Sequence, residues 1–227
     1  MRIVWGILRV ALAVATIAAI VGQLIVSTSN WHSIGISDTT IQVVNFFSFF
    51  TIESNVLTVV VMLIGAWYLF GRRGTDPGWF LGLRLATVTY MATTGIVYNL
   101  LLRGIELPQG TTLPWSNEVL HLVAPLFVLI DWFVAPGRRP IEWKTLWPVL
   151  IFPLAWGVYT LIRGPITYDA VFSKPYWYPY PFLNPNTSPE GYFSVAFYII
   201  LIAVVIGAVC AGAIGASKRR LPGFSAA

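Results

Sequence analysis

The chain has 227 residues, of which 57% are hydrophobic and only 10% are charged, and its formal net charge is +5. Because an ordinary soluble domain carries about 25% charged residues, this composition excludes a cytosolic enzyme, a nucleic-acid-binding protein and a disordered regulator. The single cysteine, Cys210, excludes an internal disulfide and a cysteine-based zinc site. We expect neither a metal nor another cofactor.

Apolar stretches of membrane-spanning length divide the chain. A hydrocarbon core of about 30 Å requires roughly 20 apolar residues in a helix. Six stretches satisfy this requirement, at about residues 3–27, 41–70, 79–102, 116–135, 146–162 and 192–216. The first resembles a secretory signal, but the five that follow indicate a retained helix. We therefore predict an all-α polytopic membrane protein, with six transmembrane helices forming one bundle and one domain over residues 1–227.

Clusters of cations flank alternate connections between these stretches. They precede the first stretch and follow the second, the fourth and the sixth: Arg2, Arg72, Arg73, Arg138, Arg139, Lys144, Lys218, Arg219 and Arg220. By the positive-inside rule, these connections and both termini are cytoplasmic. The predicted partners are membrane lipids, with no nucleic acid, and the predicted location is the cytoplasmic membrane of a microbe.

Polar side chains in the second stretch fall on one face of the helix. At 100° per residue, spacings of three, four and three place the following residues in one stripe: Ser48, Thr51, Asn55 and Thr58. A single Ser or Thr in a membrane helix usually bonds its own backbone or a neighbouring helix, so the stripe carries more information than any member. Glu53 lies on another face and is either protonated or paired, with Arg84 or Arg103 as possible partners.

The fourth stretch begins with a polar group around the histidine that is embedded in the membrane. Asn117 and Glu118 precede His121 by four and three residues, so either could hold the imidazole in one tautomer. At 1.5 Å per residue, His121 is predicted about 9 Å and Thr51 about 15 Å below the outer boundary. Asn99 reaches a similar depth. A lone membrane histidine is often structural, but one facing a hydroxyl stripe favours a functional role.

Proline and aromatic residues are concentrated in the longest connection, at about residues 163–191. The segment Tyr176–Phe182 suits the membrane interface, where amphipathic rings settle and proline rejects regular helix. It either anchors the chain at the interface or forms a lid over a site.

Three short motifs resemble a known family in order and spacing. They are Phe49-Phe50-Thr51, the run from Trp115 to His121, and the run from Trp177 to Leu183. Together they resemble the androgen-induced and androgen-dependent family of multi-helix membrane proteins, described as threonine hydrolases that cleave fatty acid esters of hydroxy fatty acids. The resemblance implies that Thr51 is the nucleophile and His121 the catalytic histidine, with a long-chain acyl ester as the substrate.

The chemistry of such a pair is consistent with ester hydrolysis. A neutral imidazole can remove the proton of an alcohol as it attacks a carbonyl, and can then protonate the leaving alkoxide. Candidate donors to the oxyanion are Ser48, Asn55 and Asn99, and Asn117 and Glu118 are candidate supports of the histidine. No serine-hydrolase elbow, zinc-protease motif or phosphate loop is present.

Two arginines at predicted outer helix ends are candidates for binding a substrate carboxylate. An Arg fork matches a carboxylate in a bidentate way, and Arg103 and Arg163 lie at the depth where a fatty acid carboxylate would rest. The alternative is that both extend to lipid phosphates.

Two other classes of function remain open at this stage. A path through Glu53, Asp131 and His121 could conduct protons or small solutes, although no pair of broken helices suggests an inverted-repeat transporter. A membrane assembly or structural subunit is the further alternative. It is suggested by small residues at four-residue spacing in the sixth stretch, where Ala208 precedes Gly212 and Ala211 precedes Gly215.

Overall fold

The computed structural model describes residues 1–71 and 74–218. Within these ranges the secondary structure is helical, apart from one isolated bridge between Asp169 and Lys174. Six helical segments are long and apolar enough to cross a membrane. The predicted all-α, multi-pass architecture with six spans is confirmed. The expected cationic residues Arg72, Arg73, Arg219 and Arg220 lie outside the described residues.

The helices are numbered here in chain order. Two π-helical turns interrupt them, Tyr98–Leu102 after α4 and Val119–Val123 between α5 and α6. The bounds are α1 Arg2–Ser33, α2 Thr40–Phe47, α3 Phe50–Gly71, α4 Gly78–Val97, α5 Pro114–Glu118, α6 Ala124–Val134, α7 Leu146–Arg163 and α8 Tyr192–Ser217.

The prediction of one continuous helix at residues 41–70 is wrong, because this helix is broken. α2 ends at Phe47, and α3 begins at Phe50. At the break, the Ser48 hydroxyl donates to the carbonyl of Val44 at 2.7 Å, and the Trp156 indole donates to the Ser48 carbonyl at 3.0 Å. The Ser48 carbonyl thus receives its hydrogen bond from a side chain of α7, whereas the Val44 carbonyl also accepts the regular bond from the Ser48 backbone N–H at 3.0 Å. Thr51 therefore lies in the first turn of α3, not well inside a continuous helix.

The packing places α4 at the centre of the bundle. α4 contacts α3, α6 and α8, while α1 packs along α3. Among the membrane-spanning segments, α4 is the most buried, and the segment containing α7 is the least buried. α7 packs mainly against α8, so most of its apolar side chains face outward, as expected of a helix exposed to lipid.

Four charged side chains form a buried network near the end of the bundle where α1 begins. Asp131 on α6 accepts from Arg9 on α1 at 2.8 and 3.0 Å and from Arg84 on α4 at 2.9 Å. Arg84 also donates to Asp76 at 2.6 Å. Gly65 on α3 makes room for this network, since a Cβ there would lie 2.5 Å from the Arg9 guanidinium. The network joins α1, α4 and α6 by charge-assisted hydrogen bonds.

Candidate active site

The Thr51 hydroxyl is held by a tyrosine that is distant in sequence. The Oγ1 of Thr51 lies 3.2 Å from the Oη of Tyr180, and the Thr51 backbone N–H donates to the same oxygen at 3.2 Å. Tyr180 is buried and packs edge-on against Phe49. Burial raises the pKa of Tyr180 to about 12, although its hydrogen bonds with Thr51 act in the opposite direction. The phenol is therefore neutral at pH 7 and retains a proton to donate.

The predicted polar stripe faces the interior of the bundle. All four of its members are buried: Ser48, Thr51, Asn55 and Thr58. Asn55 is the member that fixes the geometry, because its amide donates to the carbonyls of Thr51 at 2.8 Å and Leu120 at 3.2 Å. It thereby ties the first turn of α3 to the residue next to His121.

Thr51 opens onto an apolar cavity of about 250 Å³. The walls come from α4, α7, α8, the first turn of α3 and the segment around Tyr180. No charged side chain is among the residues that line it in the described part of the chain. Hydroxyl groups are supplied by Thr51, Thr93, Thr94, Tyr98 and Tyr180. A mostly apolar cavity with a few polar groups is typical of a small-molecule site.

His121 is oriented by the backbone of the preceding turn. Its Nδ1 lies 3.0 Å from the carbonyl oxygen of Asn117. Because a carbonyl only accepts, Nδ1 carries the proton, and the lone pair is left on Nε2. The ring stacks on Tyr98 with centroids 3.8 Å apart, and Tyr98 also lines the cavity. His121 and Thr51 do not share a hydrogen bond; each contacts a tyrosine of the cavity wall.

The two π-helical turns contact each other beside His121. A proline explains one hydrogen bond between them. Pro125 has no N–H, so the carbonyl of His121 lacks the donor that a regular helix would supply. The amide of Asn99 donates to that carbonyl at 3.4 Å and to Gly95 at 2.8 Å. Gly95 permits the approach, because a Cβ there would lie 3.1 Å from Pro125. π turns are frequent at functional sites.

The predicted oxyanion donors are already used. Ser48 donates to Val44, and the amides of Asn55 and Asn99 each contact two backbone carbonyls. The Tyr180 hydroxyl is a better placed donor, since it lies beside the Thr51 oxygen. From the sequence, Tyr180 was predicted only as part of an aromatic segment, and its place in the third motif was the signal for a functional role.

The two predicted supports of the histidine have different roles from those expected. Asn117 holds the imidazole through its backbone carbonyl, while its side-chain amide donates to the Tyr98 hydroxyl. Glu118 forms a bidentate pair with Arg103, at 2.7 and 3.1 Å. Glu118 therefore bonds to the arginine and not to the imidazole of His121.

The two arginines that are candidates for binding a substrate carboxylate differ in whether their guanidinium nitrogens are already hydrogen-bonded. The fork of Arg103 is filled by Glu118, and its Nε donates to Asn99 at 2.9 Å. The Nη2 of Arg163 donates to the Oδ1 of Asn45 at 2.6 Å, and the guanidinium lies over the Trp177 ring, 5.2 Å from its centroid. Its Nη1 is buried and has no hydrogen-bond partner among the described residues. Arg163 is thus the better candidate of the two.

In the described part of the chain, no hydrogen bond joins Glu53, Asp131 and His121, the residues considered for a transport path. Glu53 pairs with neither Arg84 nor Arg103, and its Oε2 is without a partner in the described part of the chain. Asp131 is bonded to two arginines. The pairing of Arg9 with Asp131 was not predicted, although a cation inside the first apolar stretch requires a buried partner.

Comparisons of the chain with protein-family models, with curated proteins and with solved structures found no match.

Proposed function

We propose that this protein is an integral-membrane lipid-ester hydrolase with Thr51 as its nucleophile. The observation that carries the proposal is the position of the Thr51 hydroxyl, which opens onto an uncharged apolar cavity and is held by the neutral phenol of Tyr180. An acyl chain suits the cavity walls, and its ester carbonyl would meet a hydroxyl nucleophile and a hydrogen-bond donor together.

The proposed reaction proceeds through an acyl-threonine. The Thr51 oxygen attacks the ester carbonyl while its proton passes to Nε2 of His121, and the Tyr180 hydroxyl donates to the oxyanion. Collapse breaks the bond to the alcohol, which takes the proton from His121. Water then attacks the acyl-threonine, His121 accepts a proton from that water, and Thr51 regains its hydroxyl proton from His121 as the acid leaves.

His121 must approach Thr51 for this reaction. In unliganded enzymes, catalytic hydrogen bonds are often long and tighten only when substrate binds. Tyr98 stacks on His121 and also lines the cavity. We therefore propose that an acyl chain in the cavity shifts Tyr98 and brings the imidazole to Thr51.

We also propose that the chain belongs with the androgen-induced and androgen-dependent family. The motif containing Thr51 contacts the motif containing Tyr180, and the motif containing His121 stacks on a residue that lines the same cavity. This convergence supports the resemblance.

We further propose that both termini face the cytoplasm. Arg2 at the start of α1 donates to the carbonyl of Gly74, and the backbone N–H of Asp76 donates to the carbonyl of Gly137. The connection that contains Arg138, Arg139 and Lys144 therefore lies at the end of the bundle where α1 begins, and such a cationic end is typically cytoplasmic.

The direct test is to trap the acyl intermediate. Purified protein is mixed with a long-chain p-nitrophenyl ester, quenched in acid and digested, and the peptides are analysed by mass spectrometry. We expect the acyl group on Thr51, and no acylated peptide from the Thr51→Ala variant. Release of p-nitrophenol together with acylation at another residue would contradict the assignment of Thr51.

A second prediction concerns recognition of a substrate carboxylate. Arg163→Gln is expected to raise the KM for an ester with a free carboxylate by about tenfold or more, because a charge-assisted hydrogen bond is lost. The KM for the same substrate capped as its methyl ester should change little. Arg103→Gln is the matched control and should affect both substrates equally, since its fork is filled by Glu118. Equal effects of Arg163→Gln on the two substrates would remove Arg163 from the site.

A further inference from the structure

One hydroxyl in the cavity wall has no hydrogen-bond partner among the residues that the structure describes. Thr94 on α4 is 5% exposed and lines the cavity. Its Oγ1 is buried and forms no hydrogen bond with any described residue. A buried hydroxyl without a partner is unfavourable, because it has lost its hydrogen bonds to water. Such a group in a cavity wall indicates that a partner comes from a ligand.

Four other buried hydroxyls also lack a partner among the described residues, those of Thr16, Ser54, Thr89 and Thr160, but none of these residues lines the cavity. Thr94 is distinguished from them by its place in the cavity wall. Threonine in a helix commonly donates to the carbonyl four residues earlier. Thr93 does so to Thr89 at 2.9 Å, Thr87 to Leu83 at 2.8 Å and Thr58 to Ser54 at 2.8 Å. Thr93 also lines the cavity. The adjacent residue is therefore a matched reference whose hydroxyl is already satisfied.

The cavity is open toward the lipid-facing surface. Leu154 and Val158 on α7 line the cavity and yet are each 58% exposed. Ala203 on α8 also lines it and is exposed. Gly157 lies on the same wall, and a Cβ there would meet no atom within 4 Å. The cavity wall formed by α7 and α8 is thus apolar and reaches the lipid-facing surface, so an occupant from the bilayer with an uncharged chain fits it.

We propose that Thr94 is a ligand-binding residue whose hydroxyl donates a hydrogen bond to the carbonyl oxygen of a neutral long-chain lipid that enters between α7 and α8. The inference rests on the proposed function in taking that carbonyl to be the one attacked by Thr51. Binding through Thr94 does not itself require hydrolysis. A long-chain ketone has the same carbonyl and cannot be hydrolysed, so it separates binding from catalysis.

The experiment measures equilibrium binding of tritiated 2-heptadecanone to the full chain in phosphatidylcholine nanodiscs, with empty nanodiscs as the blank and heptadecane as the reference ligand. Thr94→Val should weaken ketone binding by about three- to tenfold, the range of one neutral hydrogen bond, and should leave heptadecane binding unchanged. Thr94→Ser should retain ketone binding, Thr94→Ala should lose it, and Thr93→Val should match the parent protein. Equal ketone affinity in Thr94→Val and Thr93→Val would overturn the proposal.

A second measurement separates ligand binding from a structural role. Without ligand, Thr94→Val should unfold at the same temperature as the parent protein or a higher one, because no hydrogen bond within the protein is lost. A lower unfolding temperature with ketone binding unchanged would make Thr94 a structural residue. Thr51→Ala should still bind the ketone, so the absence of hydrolysis in the parent protein would refute the proposed reaction without refuting the Thr94 site.

Discussion

Thr51→Ala is expected to lower the rate of long-chain ester hydrolysis by at least about a thousandfold, because it removes the attacking oxygen. His121→Ala should cause a loss of similar size, because it removes the proposed base. The double variant should be little slower than either single variant, as residues that act as one unit are not additive. The measurement is the initial rate of alcohol release by purified protein in micelles.

Thr58→Ala is the matched control for this experiment. Thr58 lies on the same stripe and is equally buried, but its hydroxyl donates to Ser54 and it does not line the cavity. We expect nearly full activity from this variant. Full activity in Thr51→Ala would instead eliminate Thr51 as the nucleophile, and loss of activity in both variants would indicate a general requirement for an intact α3.

The second large effect concerns stability. Asp131→Asn is expected to lower the free energy of unfolding by about 3–5 kcal/mol, the usual cost of leaving a buried charge without its partner. Asp131 contacts both Arg9 and Arg84, and all three side chains are at most 3% exposed. The substitution retains the size of the side chain but removes the negative charge between two cations. Unfolding by SDS in mixed micelles, followed by circular dichroism, measures the change.

Glu118→Gln provides the contrast for Asp131→Asn. It breaks the ion pair between Arg103 and Glu118, whose side chains are 44% and 42% exposed, respectively. Because solvent screens an exposed ion pair, which then contributes little to stability, this variant should unfold almost as the parent protein does. If the two variants were destabilised to the same extent, the buried network would have no special structural importance.

Prediction from sequence succeeded where the property is local. A membrane span requires only a sufficient length of apolar helix, so all six spans were identified and their bounds were displaced by only a few residues in most cases. Most of the polar stripe was also predictable, because helical periodicity places Thr51, Asn55 and Thr58 on one face of α3, although Ser48 lies in the break before that helix. Their burial follows from the cost of exposing polar groups to lipid.

Pairing between distant side chains was decided by the tertiary structure. The contact of Thr51 with Tyr180 joins residues 129 positions apart, and that of Arg9 with Asp131 joins residues 122 positions apart. Hydropathy does not specify how helices are rotated and arranged relative to one another, and those rotations determine which polar groups meet. The break before α3 has the same origin, because the Trp156 indole that bonds the Ser48 carbonyl comes from α7. Sequence by itself therefore determined the spans and the polar face of α3, while packing determined which partner each polar group on that face obtained.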